Sequence, residues 1–336
     1  MSTNGHTLII GTSDGLYKAT PSGEGYATQK LSLSARGDFR AAVVADHRDP
    51  AVLYAGTVKS GMFRSRDAGR TWQEINNGLL HRTVWSIAQH RTTGDLYVGA
   101  SPASVYMSRD QGDSWTELET LELLPETREW HGPVPPHVSR MKDIALTDDA
   151  SPDIYGAIEE GWAVRSLDGG RSWQQILNDQ GKVSHDGHSV RVVGGSEIVV
   201  ATGKGVFRSD DRGEHFEPAN RGLEERSYTS SPLSDNGQGL LLCGVTAVGP
   251  GGWRRPEGGD SGIARSSDGG RTWQVSTEGL PSPCAGIPRG IDFAHDDRSL
   301  AFVGLTDGTV YATHDAGHSF ERLLDGLPPI MSVTVA

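Results

Sequence analysis

At 336 residues, with 35% hydrophobic and 22% charged residues and 44 glycines, the chain can bury a large core yet has the texture of many short strands joined by tight turns. A net charge of −12 lacks the basic face that a general nucleic-acid binder needs to displace counterions. Two cysteines, Cys243 and Cys284, make no disulfide framework or cysteine zinc site, and no apolar run nears the roughly 18 residues of a membrane helix.

In chain order, residues 7–12 and 15–19 read as two strands around a turn, and 26–31 as a third. The apolar run at 8–10 is too short for a signal peptide, so a cytoplasmic protein with no membrane association is expected. From residue 40 a fuller unit begins: strands at 40–44, 53–57 and 61–65, then Ser65-Arg66-Asp67-Ala68-Gly69-Arg70-Thr71-Trp72, then a strand from Trp72.

That turn sequence, Ser or Thr, any residue, Asp, any residue, Gly, two residues, Trp or Phe, occurs six times, at 65–72, 108–115, 166–173, 209–216, 266–273 and 313–320. Its aspartates, Asp67, Asp110, Asp168, Asp211, Asp268 and Asp315, are 43, 58, 43, 57 and 47 residues apart. That spacing suits a four-stranded propeller blade, with the turn joining the third and fourth strands. The Asp can accept backbone N–H bonds, the Gly can take a conformation a Cβ would oppose, and the aromatic can pack between blades.

Six units carry the turn, and the degenerate first unit makes seven. The first unit lacks a strand before residue 7, while 330–336 alternates like a strand with no turn after it. The expectation is a single all-β domain over 1–336, a seven-bladed propeller of four-stranded blades whose C-terminal strand completes blade one and removes the open sheet edges.

These six turns resemble those of the BNR/Asp-box proteins with a sialidase-like propeller. The resemblance covers nearly the whole chain and implies fold, because the repeat also occurs in glycosidases, sortilin-type receptors and photosystem II assembly factors. The sialidase Arg-Ile-Pro motif is missing: Phe39-Arg40-Ala41-Ala42 is the nearest early match, and Ile287-Pro288-Arg289 falls in the last blade. Tyr228 follows Glu224 and Glu225, which is not enough to make it the Tyr nucleophile of a sialidase, so that activity is not expected.

In such a ring, a site belongs at the channel mouth, on the face carrying the connections between blades. Two long insertions, 119–140 and 246–262, fall there and are expected to form a partial lid. The same face collects His137, His185, His188 and Tyr228 as candidate catalytic groups. Arg40, Arg82, Arg140, Arg289, Arg254, Trp130 and Trp253 are candidates for holding an anionic or sugar-like ligand. Two chemistries stay open. His137, His185 and His188 with Glu159 could ligate a divalent metal, or the histidines could be acid/base groups of a lyase or hydrolase. A non-catalytic scaffold that holds a protein partner on its rim and long loops is the alternative to a small-molecule site.

Overall fold

The computed structural model describes residues 5–23, 25–33, 43–132, 135, 137–176 and 186–336, without the side chain of residue 231. Seven four-stranded antiparallel sheets make up the fold, and their inner strands neighbour one another in a closed ring. From blade one to blade seven the inner strands are Ile330–Val335, Val43–Asp46, Thr83–Gln89, Arg140–Leu146, Gly187–Val193, Tyr228–Asp235 and Pro288–Phe293. The ring closes as the alternating C-terminus predicts: Leu8, Ile9 and Ile10 pair with Val335, Thr334 and Val333. Second strands such as Leu241–Thr246 are buried along their whole length because blades pack on both of their faces.

The recurrent turn uses its Asp twice. Asp67 Oδ1 accepts the Thr71 N–H at 2.8 Å, and its Oδ2 accepts the Thr71 hydroxyl at 2.6 Å, while the Gly69 N–H donates to Ser65 Oγ at 2.8 Å. The residue four beyond the Asp repeats that role at Ser114, Ser172, Thr272 and Ser319, with His215 in the fifth blade. The hydroxyl and backbone donors of Thr71 hold Asp67 down to about 2.

The turn also fastens blade to blade, which its local sequence does not show. A guanidinium from the third strand of one blade donates to a turn carbonyl of the next: Arg64 to Gln111 at 2.7 Å, Arg165 to Arg212 at 3.0 Å, Arg208 to Gly269 at 2.8 Å and Arg265 to Ala316 at 2.8 Å. Lys18 does the same for Ala68. A second fastening runs from the closing aromatic: the Trp273 N–H donates to the Arg221 carbonyl at 2.9 Å. Gly222 sits beside that bond at φ +95°, where a Cβ would lie 1.8 Å from the Trp273 carbonyl oxygen.

The insertion 119–140, expected to form part of a lid, carries two 3₁₀ turns, Leu121–Leu123 and Pro125–Glu129. Leu121 and Trp130 anchor it by entering the core between blades three and four. Apolar side chains buried in this way order a loop without any regular strand or helix pattern to announce it.

Candidate functional site

Near the start of six inner strands the ladder register slips. The slips fall between Val84 and Ser86, Met141 and Asp143, Gly187 and Ser189, Thr229 and Leu233, and Pro288 and Gly290. In blade one, Gly11 faces Ser332 while Thr12 faces Ile330, so Met331 is skipped. The corresponding stretch of blade two lies outside the described residues. A bulge leaves one residue unpaired and re-aims its side chain. The skipped residues are Met331, Trp85, Lys142, His188, the segment 230–232 and Arg289, and each contributes to the wall of one cavity of about 640 Å³. The ring of bulges is thus a collar at the channel mouth.

Around this collar the side chains form two cation–aromatic sets. Arg140 and Lys142 lie 4.7 and 5.3 Å from the Trp85 ring, and both bind Glu159, at 2.6 and 3.2 Å. Arg289 lies 4.9 Å from the Trp253 ring and donates to the Ser230 carbonyl at 2.9 Å. Trp253 is delivered by the 246–262 insertion, where its indole N–H donates to the Val248 carbonyl at 2.8 Å. Tyr228 packs edge-on against Trp253 at 5.6 Å and lies 5.4 Å from the His188 ring.

His188 is buried, with Nδ1 2.8 Å from the Thr229 carbonyl oxygen and Nε2 2.8 Å from Asp186 Oδ2. Each ring nitrogen thus faces an acceptor oxygen. Burial opposes the charge on Asp186, but hydrogen bonding and the charge of His188 prevail and hold its carboxyl below the usual range. Burial and then the Asp186 charge push the Tyr228 phenol well above its ordinary value, so it is a proton donor and a poor nucleophile. Glu160, next to Glu159, is raised by burial and by Asp186, and its backbone adopts φ +56°, which is uncommon outside glycine.

Farther from the mouth, Asp143 accepts from the Ser189 hydroxyl, the Val190 N–H at 3.1 Å and Arg191 at 2.6 Å. Asp292 accepts the Val335 N–H at 2.8 Å. Burial pushes its carboxyl up to about 6.

Of the residues expected at the mouth, Arg140, Glu159, His188, Tyr228, Trp253 and Arg289 line the cavity together. Arg40 and His185 lie outside the described residues. His137, Arg82 and Arg254 are exposed and are not part of the cavity wall. His137 instead places Nδ1 2.8 Å from the Gly132 carbonyl oxygen. Trp130 points into the core between blades, its N–H on Gln175 at 2.9 Å, because the insertion needs an anchor more than the mouth needs an aromatic.

Of the four residues offered as metal ligands, His185 lies outside the described residues. Both Glu159 oxygens are engaged by cations, both His188 nitrogens by acceptors, and among the described residues no group of three His, Cys, Asp or Glu side chains is placed to hold an ion. Cys284 is buried and its thiol is pushed up to about 11, mainly by burial, which suppresses nucleophilic use. Trp85, Lys142, Asp143, Asp186, Arg191 and Asp292 were not among the residues singled out from the sequence. For Trp85, Lys142, Asp143 and Asp186 the available signal was their place near the start of an inner strand, where alternation breaks. Arg191 and Asp292 sit farther along theirs and carry no such signal.

The fold and its collar define a closed seven-bladed β-propeller with a polar, aromatic-lined mouth. Solved structures share this fold across most of the chain. A YCF48 protein bound to D1 peptide superposes with TM-score 0.58 at 16% identity, over 89% of this chain and 86% of that one. An ancestral GH74 enzyme gives TM-score 0.61 at 19% identity over 88% of this chain, which spans only 38% of that enzyme. A protein described as a 6-phosphogluconolactonase from Bacteroides uniformis gives TM-score 0.61 at 13% identity, over 99% of this chain and all of that one. At these identities the likeness shows the fold alone. No protein-family model matches the chain, and no curated protein matches it in sequence. No helix among the described residues is long and apolar enough to cross a membrane.

Proposed function

We propose that this propeller binds a small anionic or sugar-like ligand in the collar and acts on it as a lyase or hydrolase. The observation that carries this reading is the ring of bulges: six blades spend ladder hydrogen bonds at one level to aim a side chain into one cavity. Lys142, Arg140 and Arg289 would receive the acidic group, already oriented by Trp85, Trp253 and Glu159. The two indoles offer apolar edges for a sugar ring or carbon chain. His188, held between Asp186 and Thr229, and Tyr228 beside it would move protons during the reaction.

A panel of gluconate, glucuronate, citrate, phosphate and glucose tests this by thermal unfolding. A bound acid should raise the melting temperature in a concentration-dependent way, and Arg289→Met or Lys142→Met should weaken the effect. A flat response to every compound would refute the reading. One observation favours a protein partner as a second role. Leu80 and Leu123, on connections leaving blades two and three, are 74% and 71% exposed. Loss of a captured partner in a Leu80→Ser/Leu123→Ser double variant, with ligand stabilisation intact, would establish it as separate.

A further inference from the structure

The channel wall carries charge of opposite sign at two depths. Arg289 stands at the collar, and Asp292 follows it three residues along the same inner strand, both on the cavity wall. At about 3.3 Å per residue their backbones are roughly 10 Å apart along the channel. The deeper acids are not equivalent. Asp143 is neutralised by Arg191 and further bound by Ser189 and the Val190 N–H. Asp292 accepts only backbone N–H groups, from Val335 at 2.8 Å and from Phe293, and among the described residues it forms no salt bridge. On the same wall lie Arg191, already committed to Asp143, and the exposed His295. A carboxylate beside a cavity with two backbone hydrogen bonds and no cation retains acceptor capacity, and an ammonium ion would satisfy it.

Resting on the proposed collar site, we infer that its ligand is an extended zwitterion, with a carboxylate at Lys142 and Arg289 and an ammonium group at Asp292. A molecule with charges on the order of 10 Å apart is needed. Three amino-acid residues in extended conformation span about that length, so a tripeptide with free ends is the simplest example. The inference accounts for a carboxylate kept in a wall position where burial opposes its charge. It also explains why cationic residues crowd the mouth of a protein with net charge −12.

The test compares triglycine, N-acetyltriglycine and triglycine amide by calorimetric titration at pH 7.5, on the wild-type chain, Asp292→Asn and Arg289→Met. The expected result is that triglycine binds the wild-type chain at least about tenfold more tightly than either blocked peptide. Asp292→Asn should bring triglycine and N-acetyltriglycine to within about twofold. Arg289→Met should instead erase the preference for triglycine over its amide. Equal binding of triglycine and N-acetyltriglycine to the wild-type chain would overturn the inference. If small acids still stabilised the protein through Arg289 in that case, the collar reading would stand alone. Failure of both the peptides and the acids would overturn the two together.

Discussion

Replacing Asp292 by asparagine should stabilise the free protein above pH 6 and have little effect near pH 4. Asp292 titrates at about 6 in the folded chain against an ordinary 3.8, because burial disfavours its charge. A folded-state pKa raised in this way means the group favours folding below about 3.8 and that this benefit is lost as pH rises through about 6. The full separation is worth at most about 3 kcal/mol. The carboxylate borders the cavity, where solvent screens it, so we expect roughly 1–2 kcal/mol at pH 8. Asparagine keeps a carbonyl oxygen for the Val335 N–H, so the contact to the closing strand survives the substitution. Urea unfolding of both chains at pH 4, 6 and 8 measures the effect, provided the slopes with denaturant agree. A variant less stable at pH 8, or a difference independent of pH, would refute the reasoning.

The turn aspartates should act in the opposite direction. Asp67, Asp110 and Asp168 are held at about 2, chiefly by the hydroxyl four residues on, so their stabilisation is present above about 3.8 and lost as pH falls toward 2. Circular dichroism during acid titration should show unfolding begin in that window, and Thr71→Val should move the onset to higher pH; an unmoved onset would contradict it. Gly222→Ala should cost more than about 2 kcal/mol in denaturant unfolding, because the Cβ would meet the Trp273 carbonyl at 1.8 Å on a backbone already at φ +95°. Comparable stability would mean the blade interface relaxes more easily than its geometry implies.

The ring and its closing strand are legible in the sequence because each repeat carries its own local chemistry. The Ser-x-Asp-x-Gly turn needs only neighbours within four residues, and alternation marks the strands on either side. The cluster of His188, Tyr228, Trp253 and Arg289 follows from that topology, since residues at the start of inner strands or on the connection beside them converge on the channel. What the tertiary structure decided is where each side chain points. Trp130 and Trp253 lie on comparable long insertions, yet one anchors a core and the other lines the mouth. Lys142 and Asp292 look like ordinary strand residues until the register slip and neighbouring blades give them their surroundings. A turn is a local bargain among adjacent groups, whereas a channel wall is assembled from seven strands far apart in the chain.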